Sequence, residues 1–237
     1  MIYLVCGYRG SGKDTLFKQL SDNSSIPFNW IILRNPSIPF TFNQLINQSI
    51  NRINRVSFAD NLKKSVLEWV QFPSHLDPEI FKDMSLKEIE DKNGIKLMDG
   101  CDRSLSLRDY YRSFGQIKRS EDPDYWCKLS FSHLPVSALS AQSFIVTDWR
   151  YHNEYEYLNK LVGNGGIPNE LPNKLPNTLI TMRVFRKSVP IPPMIPSEHN
   201  LDDFATDYVF IPEQNHLEEL QYLCKRFPFY QDYILTS

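Results

Sequence analysis

The chain has 237 residues, a formal net charge of −2 and 41% hydrophobic residues, enough for one substantial α/β core with insertions. Near-balanced charge gives no bulk field that would draw the protein to nucleic acid or to a membrane surface. The four cysteines, Cys6, Cys101, Cys127 and Cys224, form no C-x-x-C pair, which argues against a disulfide frame or a zinc site and suits a reducing compartment. The opening apolar run is too short for a secretion leader, and no stretch approaches the length of a membrane span. A soluble, cytoplasmic protein is the expectation.

Ile2-Tyr3-Leu4-Val5-Cys6 reads as a buried strand, and Leu16, Phe17 and Leu20 share one face of a following helix. Between them lies Gly7-Tyr8-Arg9-Gly10-Ser11-Gly12-Lys13-Asp14-Thr15. Strand, glycine-rich turn and helix is the context a phosphate-binding P-loop requires. Glycines let successive backbone N–H groups turn toward one anion, and the helix N-terminus adds partial positive charge. Lys13 would reach the outer phosphates as a mobile point charge. The strict pattern has Ser or Thr after the lysine, whereas here Asp14 stands there. Either Asp14 meets magnesium, directly or through water, or Thr15 supplies the hydroxyl. A glycine-rich connection kept for steric reasons alone is the rival reading.

Ser21 to Ser25 is a break, and Trp30-Ile31-Ile32-Leu33 reads as a short strand. From Phe42 to Asn54, Leu45, Ile46, Ile50 and Ile53 fall at helical spacing. Arg55-Val56-Ser57-Phe58 reads as a second core strand, with Asp60 as N-cap of a helix carrying Leu62, Val66, Leu67 and Val70. Lys63 and Lys64 in its first turn oppose the helix dipole, which a nearby phosphate-bearing substrate would explain. A polar stretch follows, with short helical patterns at Pro78–Met84 and Leu86–Lys92; residues 74–106 read as an inserted flap.

Ser106 caps a helix that Gly115 is expected to end, with Arg108 and Arg112 projecting from one face and Lys118 and Arg119 in the next loop. Asp122-Pro123-Asp124-Tyr125-Trp126 opens a helix ending near His133. Phe144-Ile145-Val146-Thr147 is the third core strand, and Asp148 at its carboxyl end is placed to hold magnesium through water or to contact a substrate. A strand-end Asp capping the next helix is the plainer alternative.

A helix over 151–161, a loop over 163–178 and a fourth core strand over 178–185 come next, with Arg186-Lys187 directly after it. Residues 189–196 are too proline-rich for a helix, and 186–200 reads as a candidate lid. Tyr208–Ile211 is the last strand and Leu217–Phe227 the last helix. Five core strands interleaved with helices predict a three-layer α/β fold with a mostly parallel sheet, in one domain spanning 1–237.

Several blocks together resemble the deoxynucleoside monophosphate kinases of the phage and viral type, within the adenylate-kinase-like P-loop kinases. The blocks are Arg9–Thr15, Ser57–Lys63, Arg108–Gly115, Asp122–Trp126, Asp148–Glu154, Ser197–His199, Asp207–Val209 and Leu217–Leu220, nearly end to end. A G-K-D-T loop ending is the form that family uses. The resemblance implies ATP and magnesium, and a role in nucleotide biosynthesis. It puts the ATP phosphates and magnesium on Arg9, Gly12, Lys13, Asp14 and Thr15; Gly7, Gly10 and Ser11 join them as candidates from the loop itself, and Asp148 as a metal candidate from its strand end. It puts the deoxynucleoside monophosphate among Lys63, Arg108, Trp126, Asp148, Arg150, Asn153 and Glu154, with Arg112 and Arg119 as further phosphate-binding candidates. Lys13, Asp148, Arg150 and Arg186 become the catalytic set.

Two departures bear on base selectivity: residues 24–54 are longer than the usual connection, and Gln116 stands where a Thr is common. Two rivals stay open, a kinase for another phosphorylated acceptor such as phosphomevalonate, and a non-catalytic ATP-binding module. Small-molecule substrates are expected as partners, without nucleic acid or membrane, and the sequence leaves open whether two copies associate.

Overall fold

The computed structural model describes residues 1–21, 30–44, 53–132, 134, 142–163, 179–192 and 199–236. Its elements in chain order are β1 (Ile2–Cys6), α1 (Lys13–Ser21), β2 (Trp30–Arg34), β3 (Ile53–Val56), α2 (Phe58–Trp69), α3 (Pro78–Phe81), α4 (Leu86–Asn93) and α5 (Leu107–Glu121). There follow α6 (Tyr125–Phe131), β4 (Ser143–Val146), α7 (His152–Gly163), β5 (Leu179–Val184), β6 (Tyr208–Pro212), α8 (His216–Arg226), a 3₁₀ turn at Pro228–Tyr230 and β7 (Ile234–Thr236). The chain divides into two compact units, Met1–Ser57 with His133–Ser237, and Phe58–Ser132.

The first unit is α/β. Among the described residues its sheet has seven strands in the order β3-β4-β1-β5-β6-β2-β7, parallel from β3 through β6, with β2 antiparallel to β6 and β7 antiparallel to β2. All five residues of β1 are buried, as befits a central strand covered on both faces. Side chains alternate between two cores. Tyr3, Val5, Ile180, Met182, Tyr208 and Phe210 join Leu16 and Leu20 of α1 on one face. Val209, Ile211 and Leu33 join Leu223 of α8, Phe227 and Tyr230 on the other. The α/β class and mostly parallel sheet agree with expectation; the strand count does not.

β2 enters the sheet through a five-residue antiparallel register, Trp30 opposite Pro212 to Arg34 opposite Tyr208. β7 pairs with β2 over three residues, too few to leave a periodic signal in the sequence. The sheet edge also differs at β3, which ends at Val56, so Phe58 opens a helix and not the end of a strand.

The second unit is helical and takes in the 74–106 segment, extending beyond it at both ends. Val66, Val70, Phe81, Leu86, Ile89, Leu97, Leu107 and Tyr110 form its core. Short helices of this kind lean on their ends. Ser85 with Glu88, and Ser106 with Asp109, form reciprocal capping boxes at α4 and α5, and Gly94 ends α4 in the left-handed conformation at φ 61°.

Two expectations fail here. Asp60 lies inside the first turn of α2, where its charge suits the helix dipole, and does not cap it. α5 runs through Gly115 to Glu121, so Lys118 and Arg119 are helical. Gly115 is there for room: a Cβ on it would stand 3.2 Å from the Leu62 side chain of α2.

Ser21 closes α1, Ile53 opens β3 and Gly163 closes α7, against the expected break, helix and loop at those positions; residues 22–25, 45–52 and 164–178, the helix end at His133, and residues 193–198 with Ser197 and Glu198 lie outside the described residues. No helix among the described residues is long and apolar enough to cross a membrane.

Candidate functional site

β4, β1 and β5 are adjacent and parallel, with Leu4 opposite Val146 and Cys6 opposite Arg183. Their carboxyl ends therefore share one edge of the sheet. The loop after β1 carries Gly7–Gly12, the loop after β4 carries Asp148 and Arg150, and the segment after β5 carries Arg186. Three stretches far apart in sequence meet where open α/β sheets bind ligands.

The loop after β1 is built around backbone that other residues adopt poorly. At Gly7, φ is 141°, and a Cβ would lie 2.4 Å from the Val184 carbonyl oxygen and 2.7 Å from Ser11 Oγ. At Gly12, φ is 106°, and a Cβ would press to 3.1 Å from the Trp30 ring and 3.4 Å from the Arg186 guanidinium. Gly10 is exposed, as is Arg9. The Ser11 N–H donates to the Tyr8 carbonyl at 3.1 Å, closing the turn, and the Leu16 N–H donates to the Gly12 carbonyl at 2.9 Å, opening α1. Lys13 Nζ folds back onto the loop, donating to the carbonyls of Gly7 and Tyr8.

Three buried polar atoms at or beside this loop have no partner, on Ser11, Arg186 and Arg226. Ser11 is 2% exposed and its hydroxyl makes no hydrogen bond, and Arg186 Nε is likewise buried and unpaired. The Arg186 guanidinium lies 5.1 Å over the Trp30 ring, which holds it beside Gly12. A recess with room for no more than a water-sized group lies against the loop, lined by Gly7, Tyr8, Ser11, Arg183, Phe185 and Arg186. Cradle, unpaired donors and cations fit an anionic ligand such as a phosphate tail. Asp14 and Thr15 sit exposed on the first turn of α1.

Beyond β4, Asp148 is half-buried and its Oδ2 accepts a hydrogen bond from Ser57 Oγ at 3.0 Å. Arg150 is exposed, and Asn153 is half-buried in the first turn of α7. Glu154 is 2% exposed, and its Oε2 accepts from the backbone N–H groups of Arg150 and Tyr151 at 2.9 and 3.1 Å. Its position shapes the turn into α7. Hydroxyl and carboxylate oxygens such as those of Asp14, Thr15 and Asp148 are the hard donors magnesium takes, and magnesium at a phosphate needs only one or two of them. Among the described residues no cluster of three or more His, Cys, Asp or Glu side chains forms a metal site.

The remaining candidates belong to the helical unit. Lys63 pairs with Glu79 at 2.6 Å, and Glu79 also holds Lys82 at 2.7 Å. Hydrogen bonds from Lys63 and then Lys82 pull the Glu79 carboxyl down to about 2. Arg108 forms a two-pronged pair with Asp83, and Arg112 stands 3.8 Å from Asp109. Arg119 is half-buried beside Gly115. Trp126, expected beside a substrate, is 1% exposed, with the Tyr125 ring edge-on at 4.9 Å and its indole N–H 3.5 Å from the Gly115 carbonyl. It packs as core and presents no open face.

Sequence reasoning missed four residues at the loop. The Tyr8 hydroxyl donates to both oxygens of Asp202 at 2.8 Å, and Arg226 binds Tyr8 and Asp202 together. Burial, then the bond to Asp202, pushes the Tyr8 hydroxyl up to about 12, so it stays a donor. Arg183 is buried on the recess wall and donates from Nε to the Tyr230 hydroxyl at 2.8 Å. No spacing signal links positions this far apart in the chain. Comparison with known proteins finds no protein-family model that matches this chain and no curated relative that matches it.

Proposed function

We propose that this protein transfers the γ-phosphoryl group of MgATP to a deoxynucleoside 5′-monophosphate, giving the diphosphate and ADP. The observation that carries this reading is the convergence of the Gly7–Thr15 loop, Asp148 and Arg186 at one sheet edge, with Ser11 Oγ and Arg186 Nε lacking partners. The nucleoside monophosphate as acceptor rests on the resemblance alone.

In this transfer the bond from the γ-phosphorus to the ADP oxygen breaks, and one to an acceptor phosphate oxygen forms. That oxygen is already ionised near neutral pH, so no general base is demanded. The protein's task is to align the two groups and to offset charge on the equatorial oxygens. Lys13 would leave the Gly7 and Tyr8 carbonyls for the phosphates, and Arg186, held by Trp30, would face the transferring group. Asp14, Thr15 and Asp148 would hold the magnesium, which neutralises charge on the phosphate oxygens when bound.

The test is an acceptor screen with MgATP that reads ADP and phosphorylated product together, across the deoxynucleoside and ribonucleoside monophosphates and phosphomevalonate. Product from a deoxynucleoside monophosphate is expected. ADP without product, or product only from another acceptor, contradicts the reading.

A further inference from the structure

Tyr8 lies inside the phosphate loop, next to Gly7 and two residues from Gly10, both at positive φ. Such backbone has little stiffness of its own. Yet the Tyr8 carbonyl is the loop's pivot, accepting from the Ser11 N–H at 3.1 Å and from Lys13 Nζ at 3.0 Å. The Tyr8 side chain is anchored at both its ring and its hydroxyl. Its ring lies under the Arg226 guanidinium at 5.1 Å and meets the His199 ring edge-on at 5.8 Å. Its hydroxyl sits on both oxygens of Asp202 at 2.8 Å.

Asp202 is itself held. His199 Nδ1 lies 2.9 Å and the Arg226 guanidinium 3.1 Å from its Oδ2. The carbonyls of Leu201 and Phe204, on either side of it, accept from the buried Arg183 of β5. Asn200 Oδ1 accepts from the His152 N–H at the start of α7 at 3.1 Å. The segment from His199 to Phe204 is thus braced by β5 and by the helix that follows Asp148.

We infer that Asp202 is a positioning residue for the phosphate loop: through the Tyr8 hydroxyl it fixes the peptide whose carbonyl closes the turn on the Ser11 N–H. The inference rests on reading Gly7–Thr15 as the triphosphate cradle. Asp202 touches no substrate in this account. It sets where the loop's donors point before the nucleotide arrives, and preorganisation of this kind shows up as affinity.

The experiment compares Tyr8→Phe, Asp202→Ala and Asp202→Asn with the full-length parent, reading thermal midpoint, MgATP affinity by calorimetry, and KM for ATP and for the acceptor. Tyr8→Phe keeps the ring under Arg226 and leaves Asp202 with His199 and Arg226, so it isolates the hydroxyl if Asp202→Ala fails to fold. Tyr8→Phe and Asp202→Ala should each weaken MgATP about tenfold, with the acceptor KM within about twofold. Asp202→Asn, which keeps an acceptor oxygen for Tyr8, should recover most of the loss. Lower thermal midpoints with unchanged MgATP affinity would overturn the inference while leaving the cradle standing. A parent that binds MgATP but transfers nothing defeats the kinase reading, and the affinities still decide the role of Asp202. A parent that binds no triphosphate overturns both.

Discussion

The two units treat their polar groups in opposite ways. Every buried side-chain polar atom found without a partner among the described residues, on Ser11, Arg34, Arg186 and Arg226, belongs to the α/β unit. In the helical unit the candidate cations are already answered: Lys63 by Glu79, Arg108 by Asp83, Arg112 by Asp109. A buried donor without a partner costs about 1–3 kcal/mol, which a ligand can recover. An exposed ion pair costs little to keep and little to break. On the proposed reading an anion would meet unpaired donors in the α/β unit, whereas one binding the helical unit's cations must first displace a carboxylate.

Mutations at the loop should break this contrast most severely. Lys13→Ala removes the loop's mobile cation, and transfer in a coupled ADP assay should fall by about 10²–10³-fold with the fold intact. Unchanged turnover would place the chemistry elsewhere. Gly7→Ala puts a Cβ 2.4 Å from the Val184 oxygen at a φ of 141°. It should cost about 1–3 kcal/mol in a urea melt and abolish MgATP binding, because the cradle must shift.

The helical unit calls for a paired test. Arg108→Ala should raise the acceptor KM about tenfold, near 1.5 kcal/mol for one charged hydrogen bond, and leave the ATP KM unchanged. Asp83→Asn should move the acceptor KM the other way by freeing Arg108. If both variants leave the acceptor KM unchanged, the pair is structural. Ser106→Ala breaks the α5 capping box and should cost about 1 kcal/mol of stability, with ATP affinity untouched.

The smallest effect is a pH dependence. The Glu79 carboxyl titrates at about 2 when folded against 4.5 for the free group, so its contribution is present above about pH 4.5 and fades as pH falls toward 2. Glu79→Gln should thus be less stable than the parent near pH 6, and the gap should narrow below pH 4.5 and close as pH falls to 2. Glu79 is half exposed, so added salt should shrink that gap.

What the sequence could disclose follows the same division. The loop after β1 was legible because one contiguous stretch carries its strand, its glycines and its helix start. Asp148 and Arg186 were legible as strand-end residues, and the parallel order explains why such ends meet. The cap at Ser106 was readable as a local pattern, and the structure adds its reciprocal partner Asp109. Gly115 misled, because a glycine inside a helix for close packing looks like one that ends it. Trp126 was singled out by the resemblance alone, and its burial left no local signal in the sequence. β7 and the Tyr8–Asp202–Arg226 cluster were invisible, since both come from pairings between distant parts of the chain.

The most direct test of the central claim is a crystal structure of the full chain with magnesium and a non-hydrolysable ATP analogue. The account predicts the triphosphate against the backbone N–H groups of residues 12–15, with Lys13 Nζ moved from the Gly7 and Tyr8 carbonyls onto the phosphates. A nucleotide bound elsewhere, with Lys13 still on those carbonyls, would contradict it.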